Sequence, residues 1–163
     1  WFQGTADAVR QQIRYVEEDK GDEVLILSGD QLYRMDYVPM IQMHRETGAD
    51  ATIAVIPIPT EETYGLGLAV SMTMAGSKGL SKTQDRGRAC PGEDVGRLAE
   101  KRGVKDTNRQ FLGNMGIYLF KKDSLLELLN APPKATDFGK EIFPRCVDTH
   151  KVMTYVFEDY WED

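Results

Sequence analysis

Four consecutive apolar residues, Val24-Leu25-Ile26-Leu27, closed by Ser28-Gly29-Asp30, constrain the fold of this chain more than any other feature. A strand with one wet face alternates apolar and polar residues, so an unbroken run predicts a strand covered on both faces, as in sheets flanked by helices. Upstream, Ala6, Val9, Ile13 and Val16 recur at helical spacing, with Asp7, Arg10, Gln11, Arg14 and Glu17 elsewhere on the wheel. One amphipathic helix is expected, capped by Thr5 and ended by Lys20-Gly21-Asp22.

The same alternation continues downstream. The stretch from Met35 to Arg45 repeats helical spacing through Met40, Ile41 and His44, Thr47-Gly48-Ala49-Asp50 breaks it, and Ala51 to Ile58 reads as a strand ended by Pro57 and Pro59. Between Glu61 and Arg109 the pattern dissolves into Gly, Ser, Lys and Arg. It resumes as a strand at Asn114 to Phe120, a helix at Ser124 to Leu129 and a strand at Val152 to Phe157. Helices alternating with strands predict an α/β fold with a mostly parallel sheet built on Val24–Leu27, Ala51–Ile58, Gly116–Phe120 and Val152–Phe157.

Composition narrows the function. The chain has 163 residues, enough for one domain with a buried core, and a net charge of −6 that argues against a nucleic-acid surface. No apolar run approaches the roughly 20 residues of a membrane span. Cys90 and Cys146 are too few for a disulfide framework and read as free thiols. A soluble cytoplasmic protein is expected, or a plastid one in a plant or alga. The start at Trp1 without Met, and the end at Asp163 just after Tyr160-Trp161-Glu162, lead us to expect a piece of a longer protein.

Two segments carry candidate chemistry. Gly4-Thr5 stands directly before a helix, whose first N–H groups either take an ordinary Thr cap or receive an anion or base edge. Ser28-Gly29-Asp30-Gln31 puts an acidic residue at the carboxyl end of a strand, where Asp30 is either a solvated turn residue or a ligand for a hard cation such as Mg²⁺. His44, on an apolar helix face, and His150, in a polar segment, have no third ligand nearby and read as structural or solvated. Met35, Met40 and Met43 are core filler, and the basic stretch from Lys78 to Arg109 is a solvated loop.

Together these stretches resemble the ADP-glucose pyrophosphorylases, or glucose-1-phosphate adenylyltransferases, among the nucleotide-sugar pyrophosphorylases. The resemblance is carried, in family order, by the runs Trp1 to Arg10, Leu25 to Tyr37, Asn114 to Phe120, Asp137 to Ile142 and Asp159 to Asp163. It implies a Rossmann-like nucleotide-sugar transferase fold, incomplete at both ends, followed in full-length members by a left-handed β-helix. It also implies that Gly4, Thr5 and Gly29 border the nucleotide, that Gly116 lines the sugar pocket, and that Asp30 (catalytic) and Asp163 bind Mg²⁺. The implied reaction is ATP plus glucose 1-phosphate to ADP-glucose and pyrophosphate, in glycogen or starch synthesis, by a homo- or hetero-tetramer.

Three departures qualify the resemblance. Gln31 stands where many members carry His. The family's Gly-rich phosphate loop, which precedes Gly-Thr-Ala-Asp, is not in this sequence, and no Ser-Glu-Lys-Pro occurs between Tyr64 and Arg97. Back-translating Val70 to Gln84 from the third base of the Val70 codon permits the family's hairpin sequence. A frame slip starting near Leu68 to Ser71 and restored before Gly103 is therefore one reading of this segment, and a divergent loop is the other. Two further readings stay open for function: a catalytically silent regulatory subunit, and a pyrophosphorylase using another base or sugar. The 163-residue piece alone is expected to be inactive.

Overall fold

The computed structural model describes residues 1–29, 32–58, 68–69, 111–157 and 161–162. Asp30, Gln31, Asp163, Cys90 and the whole stretch from Val70 to Arg109 lie outside the described residues. The elements run α1 (Thr5–Gln11), α2 (Ile13–Glu18), β1 (Glu23–Leu27), β2 (Leu32–Tyr33), α3 (Val38–Thr47), β3 (Ala51–Ile58), β4 (Leu68–Ala69), β5 (Phe111–Lys121), α4 (Lys122–Asn130), a π-helical segment (Phe138–Ile142) continuing into an α-helical turn (Phe143–Cys146), β6 (Val152–Val156) and β7 (Trp161–Glu162).

The main sheet has the order β1-β5-β3-β6, with β4 also pairing β5. It is an open, mixed α/β sheet. β3 and β6 pair in parallel, whereas β5 runs antiparallel to both β1 and β3. β1, β3 and β6 therefore share a direction, and the expectation of parallel pairing fails at the Gly116–Phe120 strand alone. The register explains why. The chain leaves β3 at Ile58 and, after β4, begins β5 at Phe111, directly opposite Ile58, so β5 starts at the end where β3 stops and must run back along it.

Helices cover both faces. On one, Ala6 of α1, Leu125 and Leu129 of α4, and Phe138 and Phe143 pack on Ile53, Val55, Tyr118 and Phe120. Tyr118, Phe120, Phe138 and Phe143 form a tilted and stacked aromatic cluster with centroids 5.0–6.4 Å apart. On the other face Met40 of α3 packs on Ala54, Met115, Ile117, Leu119 and Phe157. Successive β5 residues thus feed opposite layers, the period of a pleated strand.

Two local expectations change. The first helix is split at Gln12, whose N–H bonds Val9 O three residues back. β1 is the last strand on its side of the sheet among the described residues, so its side chains are half-buried and Leu27 is 45 % exposed, not covered on both faces. α3 ends as read, with Gly48 in the left-handed conformation (φ 63°).

Candidate functional site

At the carboxyl end of β1 the strands are locked by Gly116. Between Ile53↔Tyr118 and Val55↔Asn114 the register shifts, so that Met115, Gly116 and Ile117 on β5 span the interval filled by Ala54 alone on β3. This bulge puts Gly116 at φ 68°, a backbone conformation that a Cβ disfavours. The bulge frees ladder groups, and local partners take them. Gly116 N–H donates to Asn114 Oδ1 (2.9 Å), while Ser28 donates to Gly116 O through both its N–H (3.1 Å) and its Oγ (3.2 Å). Asn114 Nδ2 in turn donates to Tyr118 Oη (2.9 Å). Ser28, the residue before Gly29, is thereby fixed to the strand that carries Gly116.

Gly4-Thr5 is held from a different direction. Gly4, not Thr5, occupies the cap position of α1, and no side chain caps the helix. Two of the first amides, Ala6 N–H (2.9 Å) and Asp7 N–H (3.2 Å), donate to Thr136 O and so do not receive an external anion. The Thr5 hydroxyl accepts from Phe138 N–H (3.2 Å) and donates to Asp137 Oδ2 (3.5 Å), which corrects its expected capping role. Gly4 is required for close approach: a Cβ there would collide with the Thr136 carbonyl.

These two assemblies adjoin. Gly139, two residues beyond Asp137, lies against Asn114, since a methyl on its Cα would stand 3.7 Å from Asn114 Nδ2. Four separated sequence runs, holding Gly4-Thr5, Ser28-Gly29, Asn114–Gly116 and Asp137–Gly139, are thus linked from one to the next. The fifth run enters through β7, which pairs antiparallel with β2 in the register Leu32↔Glu162 and Tyr33↔Trp161. β2 begins two residues after Asp30, and β7 ends one residue before Asp163. Both aspartates lie outside the described residues, among which no group of three or more His, Cys, Asp or Glu could hold a metal ion.

Residues 2–163 match the profile of the nucleotidyl transferase family. The chain belongs to that family.

In this nucleotidyl transferase the most connected charged group of the region is one that sequence reasoning left without a role. Asp7, 8 % exposed, accepts from Gln3 N–H (3.0 Å) and Gln11 Nε2 (2.8 Å) through Oδ2 and from Arg10 through Oδ1 (2.6 Å). The Gln3 backbone bond, aided by Gln11 and Arg10, holds its carboxyl below the usual range against the opposing effect of burial. Arg10 also donates to Ala135 O (2.5 Å), and Glu141 accepts from Thr136 N–H (3.3 Å) and Oγ1 (2.6 Å). The sequence signal was Asp at the third helical position, from which a capping box reaches back to the cap residue; here it reaches one residue further, to Gln3.

The remaining candidates are structural. His44 is a buried residue of α3, with Nδ1 2.7 Å from Thr52 Oγ1 and Nε2 enclosed without a partner among the described residues. His150 contacts Thr149 Oγ1 (2.8 Å) and Glu127 (3.8 Å). Cys146 is free and buried, and burial pushes its thiol up to about 12, an inert state. No helix among the described residues is long and apolar enough to cross a membrane.

Proposed function

We propose that this nucleotidyl transferase is part of the catalytic domain of a glucose-1-phosphate adenylyltransferase, which joins ATP and glucose 1-phosphate into ADP-glucose with release of pyrophosphate. The observation that carries the reading is the meeting of the runs that bear the resemblance: Ser28 is hydrogen-bonded to Gly116 at the carboxyl end of β1, and the Thr5–Phe138 link, 133 positions apart, adjoins it where Gly139 lies against Asn114. Ligands of open α/β sheets bind at that end.

In this reading Gly4, Thr5 and Gly29 border the nucleotide and Gly116 borders the sugar. The left-handed φ and the close packing of Ser28 both require a glycine at 116, so in this reading the sugar wall is the Gly116 backbone with Ser28 packed directly on it. Asp30 and Asp163 would hold Mg²⁺, which when bound neutralises phosphate charge during in-line attack on the α-phosphorus. The protein's own share is positioning: the Ser28–Gly116 bonds fix the segment leading to Asp30 relative to the sugar wall. A tetramer in the cytoplasm or plastid is part of the same proposal.

The absence of Ser-Glu-Lys-Pro between Tyr64 and Arg97 favours a second reading, a regulatory subunit that keeps the fold without turnover. Pyrophosphate release from ATP and glucose 1-phosphate by the full-length protein, compared with its Asp30→Asn variant, decides between them. Catalysis predicts turnover abolished by the substitution. A full-length protein that is silent with every acceptor supports the regulatory subunit, and turnover indifferent to Asp30→Asn contradicts the assignment of the catalytic carboxylate.

A further inference from the structure

The segment Gln3-Gly4-Thr5 is fastened at both ends, and the two fastenings differ in kind. At its far end the Thr5 hydroxyl holds Phe138 N–H. At its near end Gln3 N–H is held by the carboxylate of Asp7, which comes from inside the helix that follows. Asp7 is kept in place by Arg10 and Gln11 on the next turn, and Arg10 is pinned to Ala135 O. Thr136 O, one residue further on, receives Ala6 and Asp7 N–H. Glu141 holds the Thr136 N–H and hydroxyl, and Arg145 binds Glu141 (3.4 Å) and Pro133 O (2.7 Å).

The loop therefore stands on a charged frame in which one carboxylate takes three donors. Charge-assisted bonds of this kind are short and directional, and Asp7 and Arg10 are both largely shielded from water, with side chains 12 % and 13 % exposed. In a capping box the third helical residue reaches back only to the N–H of the cap residue itself. Here the Ala6 and Asp7 amides go to Thr136, and the carboxylate reaches back past Gly4 to the chain in front of it.

We propose that Asp7 is a positioning residue for the nucleotide: by fixing Gln3 N–H it sets the path of Gly4-Thr5 and so the affinity for the nucleoside triphosphate, without touching it. This inference rests on the reading that Gly4-Thr5 borders the nucleotide. It predicts an effect confined to one substrate, because the Ser28–Asn114–Gly116 assembly that borders the sugar makes none of its bonds to Asp7 or Arg10.

The test uses the full-length protein and its Asp7→Asn, Arg10→Lys and Gln11→Ala variants. KM is measured for ATP and for the sugar phosphate, and thermal unfolding reports folding. Asp7→Asn keeps the shape but cannot hold both Gln3 N–H and Arg10 as a charged acceptor. The expected result is a rise of about 10-fold in KM for the nucleotide, with kcat and the KM for the sugar phosphate nearly unchanged, and a smaller rise in Gln11→Ala. Equal rises for both substrates, or an unchanged nucleotide KM in a folded Asp7→Asn protein, would overturn the proposal. Should Asp7→Asn not fold, Gln11→Ala and Arg10→Lys decide by the same criterion. Should the protein use another nucleoside triphosphate, the adenylyl reading fails, yet the same split measured with that nucleotide still tests Asp7.

Discussion

Thr5 Oγ1 accepts a hydrogen bond of 3.2 Å from Phe138 N–H, joining two residues 133 positions apart. The same hydroxyl donates to Asp137, so a single side chain ties the start of α1 to the start of the π-helical segment. Replacing Thr5 by Val keeps the shape and removes both bonds, leaving Phe138 N–H without its acceptor in a half-buried place. We expect a loss of roughly 1–2 kcal/mol in stability by denaturant unfolding, with Thr5→Ser close to wild type. Equal stability of Thr5→Val and Thr5→Ser would mean that the link contributes nothing.

Gly116 makes a sharper case. An added Cβ there meets both a left-handed φ and the Ser28 Oγ, so Gly116→Ala should cost about 2–4 kcal/mol, backbone strain and overpacking together. Ser28→Ala removes the closest clash, that with Oγ, but neither the Cβ of residue 28, 3.0 Å from the added methyl, nor the φ. The double variant should therefore recover part of the loss and no more, a coupling that a double-mutant cycle measures directly. Strict additivity of the two substitutions would show that Ser28 and Gly116 do not press on one another.

Much of the fold was legible because burial imposes period. Ala51 to Ile58 stands where its pattern put it, and the helix around Met40 and His44 forms but begins at Val38, with Pro39 in its first turn, and not at Met35. Direction was not legible: nothing local in Asn114–Phe120 records that Phe111 faces Ile58 across the sheet, and only that long-range pairing makes β5 antiparallel. The unbroken run Val24–Leu27 gave the right strand but the wrong degree of cover. In the site, Gly4, Thr5 and Gly116 were singled out by motif. Their work in the fold, Gly4 against Thr136 O and Gly116 in a bulge, depends on tertiary neighbours that no spacing encodes. Asp7 was passed over as an ordinary polar-face residue: its i,i+3 and i,i+4 bonds to Arg10 and Gln11 are those of any helix surface, and only the return of the chain at Gly4 brings Gln3 N–H to it and the anchoring of Arg10 on Ala135 O buries it.

His44 carries a pH prediction. Burial is the chief cause that lowers its pKa below 6.5, with Lys121 and Arg45 adding to the effect and Glu23 and Asp50 opposing it. In the folded chain the neutral ring is favoured. Stability is then full above the unfolded-state value near 6.5, and it falls as the pH drops from there toward the lower folded value, because the unfolded chain takes up the proton first. Unfolding free energies between pH 8 and pH 5 should decline in the wild type and lose this component in His44→Leu. An identical pH slope in both proteins would remove His44 from the account.

Residues 1–163 on their own should form no measurable ADP-glucose. In-line attack brings one phosphate onto another, so the barrier depends on cations and N–H donors at both ends. This sequence holds neither the Gly-rich phosphate loop nor Ser-Glu-Lys-Pro. Pyrophosphate release from ATP, glucose 1-phosphate and Mg²⁺ checks it, with Asp30→Asn as the blank. Turnover by residues 1–163 that vanishes in the variant would show that those two elements are dispensable.

The most direct test of the central claim is a substrate matrix on the full-length protein, pairing ATP, UTP, GTP, CTP and dTTP with glucose 1-phosphate and other sugar 1-phosphates and identifying the product by mass. ADP-glucose as the product formed with the highest kcat/KM is the predicted result. A preference for another nucleotide or another sugar 1-phosphate would leave the nucleotidyl transferase standing and contradict its assignment to ADP-glucose.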